Sequence, residues 1–357
     1  MKLDRWTIGG LVMNVQKVGV IGVGGWGENH IKTYVDSPLT ELVAVCDVNS
    51  ERADRIAAEY RVPNVFPDYR DLLAMPDVDA VSIVTPDFMH AEITLAALAA
   101  GKHVLLEKPM ATSIEECVSI REAVAASGCM FMVDFHNRWN PPFAKAKKAI
   151  EDGEIGRLLY AYYRLQDTIF VPTKMLSWAG QSTVNWFLAS HCLDTLMWLF
   201  DDVIETVYTV SRSEVLKSKG IDTPDFYASV VQFRNGGVAT LENGWVLPNT
   251  APNIIDFKTE MIGTDGVLYT DGSHHRILQK YTQDNASYPD VLVSPTVHGK
   301  PTGFGIESIR AFAECIACDR QPMVGAEEGE RVTRVILAME ESARTGAEVE
   351  VLIPRPS

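Results

Sequence analysis

The segment Gly22-Val23-Gly24-Gly25-Trp26-Gly27 follows an apolar run, Lys17–Ile21, and precedes a helix-like stretch. An acidic residue, Asp47, closes the next apolar run, Leu42–Cys46, twenty residues past Gly27. A glycine turn between a strand and a helix lets a diphosphate approach the backbone. The helix's first N–H groups and its dipole then meet the negative charge. In that arrangement Gly22 makes the tight turn, Gly24 permits the close approach, and Gly27 lets helix and strand pack closely. Asp47 stands where a carboxylate takes a ribose 2′-hydroxyl. The pattern predicts a dinucleotide-binding βαβ unit. It favours NAD over NADP, because the Asp47 charge would repel a 2′-phosphate. Arg52, five residues on, weakens that preference.

At 357 residues the chain exceeds one compact core and predicts about two domains. Its 32 basic and 47 acidic residues leave a net charge of -15. Such a surface is a poor match for nucleic acid or anionic lipid, whose phosphates demand Lys and Arg. No apolar run reaches the ~18 residues a membrane span needs. Residues 1–14 hold Lys2 and Arg5 but no apolar core and no small-residue cleavage site, which argues against a signal peptide. They read as an N-terminal extension, either loosely ordered or an over-long start with Met13 as the native beginning. The cytoplasm is the expected compartment. The six cysteines are scattered, and Cys315-x-x-Cys318 lies in a helical pattern without a second Cys/His pair at zinc spacing. His274-His275 has no supporting ligand pattern either, and no metal is expected.

The first third alternates strand and helix patterns. Strands are predicted at Lys17–Ile21, Leu42–Cys46, Ala80–Val84, His103–Leu106 and Met130–Val133. Helices are predicted at Trp26–Val35, Ser50–Tyr60, His90–Ala100 and Ser113–Ala126, with Ser50 and Ser113 as N-caps and Gly101 and Gly128 as stops. Short, almost continuously apolar strands are those covered on both faces. Their alternation with helices predicts a doubly wound parallel sheet.

After Arg138 the pattern changes. Pro141-Pro142 opens a helix that ends near Gly153. Longer strands follow at Leu158–Leu165, Phe226–Phe233, Val238–Trp245 and Phe257–Ile262, with turns such as Asn235-Gly236-Gly237 between them. Connections this short predict a mostly antiparallel, open sheet. Helices are predicted at Val184–Phe200, Ile306–Ala317 and Ala326–Thr345. The domain expectation is therefore an extension over 1–14, a Rossmann domain over 15–138 and a second α/β domain over 139–357. Apolar residues of both parities in Phe226–Phe233 predict cover on both sheet faces, by a partner's sheet or by helices.

These residues resemble the Gfo/Idh/MocA oxidoreductases, relatives of glucose–fructose oxidoreductase and inositol dehydrogenase. The resemblance runs from about Lys17 to Val351. Its markers, in order, are the glycine loop, Thr85-Pro86-x-x-x-His90, Gly101-Lys102-His103-Val104, Glu107-Lys108-Pro109, Asn137-Arg138, Gly153-x-Ile155-Gly156, His191-x-x-Asp194, Glu327-Glu328-Gly329 and Ser342-Ala343. The resemblance implies a Rossmann domain, then an α/β domain with a large, open, mostly antiparallel sheet through which copies pair as homodimers or homotetramers. It implies NAD or NADP and a sugar, cyclitol or related polyol substrate. Gly22, Val23, Gly24, Gly25, Trp26, Gly27, Asp47, Thr85, Pro86, His90, Glu107, Lys108 and Arg138 carry over as cofactor contacts.

Lys108 is the implied acid/base. Moving a hydride off an alcohol carbon leaves a proton on oxygen, and a positioned side chain must take it. A free lysine, with a pKa near ~10.4, is a poor base at neutral pH. Burial and a positive nicotinamide ring would lower it, and a cis bond to Pro109 would fit the turn that aims it. His191 is the implied second catalytic group, with Asp194 on almost the same helix face. Arg164, Trp178, Asn185, His191, Asp194 and Lys108 are the expected substrate contacts, with Trp178 as an aromatic platform.

The chain departs from the family at one point. A common pattern has Asp four residues before the histidine and Gly two before, where this chain has Phe187 and Ala189. Asn185 or Asp194 fills the polar role, or the substrate carries a different group there. The departure keeps two alternatives open. One is a redox-neutral enzyme that uses tightly bound NAD transiently, for glycoside cleavage or elimination. The other is a dinucleotide-binding sensor without catalysis, against which the retained Lys108 argues.

Overall fold

The computed structural model describes residues 5–8, 11–273 and 276–353. His274 and His275 lie outside the described residues. Two compact units divide the chain: Met1–His136 with Val293–Glu330, and Asn137–Leu292 with Arg331–Ser357.

The first unit begins with an antiparallel hairpin, β1 (Arg5–Ile8) and β2 (Leu11–Asn14), within the segment expected as an extension. Then come β3 (Gln16–Ile21), α1 (Gly27–Asp36), β4 (Thr40–Cys46), α2 (Ser50–Tyr60), β5 (Asn64–Phe66), α3 (Tyr69–Leu73) and β6 (Ala80–Ile83). They are followed by α4 (His90–Ala99), β7 (His103–Leu106), α5 (Ile114–Ser127) and β8 (Phe131–Val133). The strands pair in parallel in the order β5-β4-β3-β6-β7-β8. Val18, Val20, Val45, Val81, Ile83, Leu105 and Leu106 have essentially no exposed surface, as both-face cover requires. The strand order reverses between β3 and β6, and in such sheets ligands bind beyond the strands' carboxyl ends at that point.

Ser113 caps α5 by accepting the Glu116 N–H, and Gly128 ends it with φ +69. Ser50 is not a cap. Asn49 takes that place and accepts the Arg52 N–H, because its extended backbone aims the side chain at the first turn. The short β5 and α3 were not anticipated; three to five residues give too little periodicity to register.

One boundary differs from expectation. The second domain was expected to run unbroken over 139–357, yet Val293–Glu330 belongs to the first unit. Its helix α8 (Phe304–Cys318) packs on α1: the Arg310 guanidinium donates to Asp36 at 3.0 Å, and Gly305 lies against the Trp26 ring. Side chains far apart in sequence make that contact, so no local pattern marks it. Cys315 and Cys318 sit on this helix as thiols.

The second unit starts with α6 (Pro141–Glu151) and β9 (Leu158–Thr168). Next are α7 (Ser190–Phe200), β10 (Ile204–Arg212), β11 (Phe226–Phe233), β12 (Val238–Leu247), β13 (Ile255–Gly263) and β14 (Val267–Asp271). Two-residue strands follow: β15 (Lys280–Tyr281) with β16 (Ala286–Ser287) here, and β17 (Thr296–Val297) with β18 (Lys300–Pro301) in the first unit. Helix α9 (Ala326–Thr345) and β19 (Val349–Glu350) close the chain. The large sheet has the order β14-β13-β9-β12-β11-β10-β19. Every neighbouring pair is antiparallel except β12 with β9.

Burial along β11 alternates strictly, so within the chain only one face of the sheet is covered. The covered side holds Tyr163, Val231, Leu241 and Met261, all essentially inaccessible. Fully burying a large apolar side chain contributes about 1.5–3 kcal/mol, which makes this face the source of the unit's stability. The open side shows a row across neighbouring strands: Tyr208, Val230, Thr240, Tyr162, Glu260 and Tyr269. The expected continuous helix Val184–Phe200 is a π turn, Asn185–Ala189, leading into α7. Among the described residues, no helix is long and apolar enough to cross a membrane.

Candidate active site

In the first unit, the glycine segment forms the turn its composition predicts. Gly22 sits at φ +90, where a Cβ would meet the Val84 carbonyl oxygen at 2.4 Å. A Cβ on Gly27 would meet the Gly22 carbonyl oxygen at 2.1 Å, so only glycine lets α1 start this close to β3. Gly25 has open space where a side chain would be, and the N-cap position of α1, Trp26, makes no side-chain cap bond. The Glu28 and Asn29 N–H groups donate to the Gly24 and Trp26 carbonyls at 3.1 and 2.9 Å, so an incoming anion would meet the open glycine turn at the positive end of α1.

The Asp47 carboxylate is buried and braced. Oδ2 accepts the Val23 N–H at 3.0 Å and an Arg52 Nη1–H at 3.2 Å, and Oδ1 accepts the Asn49 N–H at 2.9 Å. The same acid therefore shapes the glycine loop that it flanks, and Arg52, noted only as a nearby cation, is its ion-pair partner. Across the crevice, Thr85 Oγ1 is buried without a hydrogen-bond partner, and Pro86 follows it at the end of β6. A side-chain-free cradle, an anchored carboxylate and an orphaned hydroxyl at the switch point fit a bound dinucleotide.

His90 behaves differently from expectation. Its ring is buried, with Nδ1 2.6 Å from the Pro109 carbonyl oxygen and Nε2 2.9 Å from that of Thr85. Both nitrogens face backbone, so His90 acts as a brace between the β6 and β7 ends and offers no ring nitrogen to a cofactor. Burial lowers its pKa, against the opposing pull of the Pro109 and Thr85 carbonyls and of Asp87. The Lys108–Pro109 peptide that it supports is cis.

Glu107 ends β7. Its Oε1 accepts the Trp26 indole N–H at 2.7 Å and lies 3.1 Å from His30 Nε2. The other His30 nitrogen lies 3.0 Å from Ser82 Oγ, which lies 2.6 Å from the Tyr34 hydroxyl. Burial pushes Glu107 up and takes His30 down to about 4, so the imidazole is neutral. Asp134, just past β8, has a completely buried carboxyl 4.0 Å from His30 Nε2. His30, Ser82 and Asp134 were missed in the sequence. The available signal was the one that found Asp47, an acid closing an apolar run, here Met130–Val133. Trp26 also lies over the His136 ring, with centroids 5.3 Å apart, and His136 is held at about 3 chiefly by burial.

The remaining expected contacts lie in the second unit, where the structure redistributes them. Arg138, expected at the cofactor, and Asp194, expected at the substrate, bind each other: Nε–H to Oδ2 at 2.9 Å and Nη2–H to Oδ1 at 2.6 Å, both side chains buried. Arg164 is separated from His191 by the sheet itself. Alternation along β9 turns Arg164 to the open face, where it pairs with Asp256, whereas α7 packs on the other face through contacts such as Cys192 with Asn243. His191 is buried on α7. Asn185, in the π turn, is wholly buried with neither amide atom partnered. Trp178 meets Phe187 edge-on at 6.3 Å, and Phe187 meets Trp245 at 6.4 Å. Phe187 therefore extends an aromatic row where the family pattern has a carboxylate. Lys108 belongs to the first unit and His191 to the second.

The fold and the glycine cradle define an NAD-binding oxidoreductase. Residues 16–135 match the family described as "Oxidoreductase family, NAD-binding Rossmann fold", and residues 143–269 match the GFO/IDH/MocA C-terminal domain. The chain belongs to the Gfo/Idh/MocA family. It is 30% identical to levoglucosan dehydrogenase from Pseudarthrobacter phenanthrenivorans, over 83% of this chain and 84% of that one. It is 27% identical to scyllo-inositol 2-dehydrogenase (NAD(+)) from Bacillus subtilis, over 95% and 97%. Among solved structures, scyllo-inositol dehydrogenase from Lactobacillus casei with bound NAD(H) and scyllo-inositol superposes with a TM-score of 0.81 at 23% identity, over 95% and 99% of the two chains.

Proposed function

We propose that this protein is an NAD-dependent dehydrogenase acting on a CH–OH group of a cyclitol, sugar or related polyol. The observation that carries the reading is the setting of Lys108. It follows a glutamate anchored to the glycine-loop tryptophan, and its proline turn is braced by His90. In this reading NAD, when bound, supplies the hydride acceptor. The glycine cradle and Asp47 orient the dinucleotide, and Lys108 accepts the hydroxyl proton through Nζ, returning it in the reduction direction. His191 orients the reacting oxygen, and Asn185, with its unpaired buried amide, and Trp178 contribute to polyol recognition. The inositol and levoglucosan dehydrogenase relatives support the substrate class. The test is a panel of cyclitols, anhydrosugars and sugars with NAD and with NADP. NADH accumulation with at least one cyclic polyol, faster than with NADP, is expected. No turnover on any member would overturn the reading.

The aromatic row at Phe187 favours one second reading, transient oxidation by retained NAD. That enzyme would convert a glycoside while no NADH accumulates, so the same panel with product analysis separates the two.

We also propose that the open sheet face pairs with a second copy. Tyr208, Phe226, Val230 and Tyr269 are exposed there, among polar neighbours such as Thr240 and Glu260, and large apolar side chains left open on a sheet face mark an interaction site. A solution mass two or four times 39.5 kDa is expected, and a monomer would count against it.

A further inference from the structure

The buried cluster beside Lys108 contains more acid than its donors can neutralise. His30, Glu107 and Asp134 are all buried, with one potential ligand atom from each lying within 4.8 Å of the others. The donors in this cluster have a direction. An indole N–H can only donate, so Glu107 Oε1 is an acceptor from Trp26. A neutral imidazole has one N–H, and the chain Tyr34 to Ser82 to His30 to Glu107 is consistent when every hydrogen points toward Glu107. The Lys108 backbone N–H also stabilises the Glu107 carboxylate. Asp134 is served less well: it has no exposed surface, neither oxygen meets a donor in good hydrogen-bond geometry, and the Ser308 hydroxyl that favours its ionised form is shared with the Gly305 carbonyl at 3.3 Å. An ionised carboxylate left like that costs several kcal/mol, whereas a neutral acid does not.

We propose that Asp134 is a neutral carboxylic acid facing an ionised Glu107, and that it serves as a positioning residue for Glu107 and, through it, Lys108. The groups facing Asp134 are consistent with this assignment. Burial and then Glu107, just past β7, raise its pKa; His30, on α1, and the Ser308 hydroxyl, on α8, oppose them, and Tyr34, on α1, completes its surroundings. The Lys108 charge lowers the pKa of Glu107 and of His136.

Three measurements test the proposal, on the full chain. The infrared difference between wild type and Asp134→Asn at neutral pH should show the carbonyl stretch of a protonated carboxylic acid in the wild type. That band should persist in Lys108→Ala. Thermal stability should also respond. The native state holds the Asp134 proton to higher pH than the unfolded chain, whose aspartates release theirs near ~3.9, so stability falls as pH rises from there to the native pKa. Buried His30 and His136 give the opposite slope on the acid side, so the readout is wild type against Asp134→Asn, in which the alkaline-going loss is reduced. Finally, Asp134→Ala should lower kcat about tenfold with little change in NAD affinity, as loss of the acid facing the Glu107 carboxylate would. Asp134→Asn, a neutral amide of the same shape, should restore most of that loss.

The kinetic measurement rests on the dehydrogenase reading, but the infrared and thermal ones do not. Loss of turnover in Lys108→Ala with the band retained leaves both readings standing, and turnover retained there sinks the role of Lys108 alone. Absence of the band, or equal kcat in wild type and Asp134→Ala, overturns the proposal. So does a tightly held divalent cation, one per chain, that is lost in Asp134→Asn, since the cluster would then be a metal site.

Discussion

Lys108→Ala is expected to lower kcat about a thousandfold, within the 10²–10⁴ that a positioned acid/base typically contributes. The change in NAD affinity should be small, because the cradle that holds the dinucleotide is built from backbone. Gly22, Gly24, Gly25 and Gly27 present no side chains, and Asp47 is anchored by Val23, Asn49 and Arg52 rather than by Lys108. Lys108→Arg sharpens the test, since arginine keeps the charge but does not give up its proton at any working pH. It should be nearly as slow as the alanine variant. NADH absorbance under single-turnover conditions, alongside NAD titration by tryptophan fluorescence, separates the chemical step from binding. If Lys108→Ala turns over within tenfold of wild type, the proton acceptor is another group.

The second large effect falls on stability. Arg138→Ala should destabilise the second unit by about 3–5 kcal/mol, because it strands the Asp194 carboxylate in a buried site. The two side chains are only 8% and 2% exposed and meet through two hydrogen bonds, so solvent screening does little to soften the loss. The guanidinium also lies 5.8 Å from the Trp198 ring centroid, and the alanine variant removes that cation–π attraction as well. Arg138→Met combined with Asp194→Leu should recover much of the loss, since removing both charges leaves nothing unpaired. Denaturant melts of the NAD-free protein measure both variants. The opposite pattern, an unchanged melt with NAD affinity reduced at least tenfold, would return Arg138 to the cofactor and refute the structural role.

Most of the Rossmann half was legible in the sequence. β7 and α2 have the expected bounds, and the other central strands shift by one or two residues, because continuous apolar runs and local caps are properties of neighbouring residues. The cradle was legible for the same reason: Gly22 and Gly27 serve contacts within a few residues or to the adjacent strand. Arg138 with Asp194 and the separation of Arg164 from His191 could not be read. Each depends on which face of an element meets which neighbour, and strand parity changes with a single residue of register.

By itself, the order of residues determined the two-sheet architecture and the glycine turn with its acid. These depend on short-range sterics and on apolar period, which a chain displays before it packs. Tertiary structure alone decided that Val293–Glu330 joins the first unit, that His90 supports a turn, and that His30, Glu107 and Asp134 share one buried cluster. The energy of a buried polar group is set by what encloses it, and the enclosing atoms come from segments up to a hundred residues and more away.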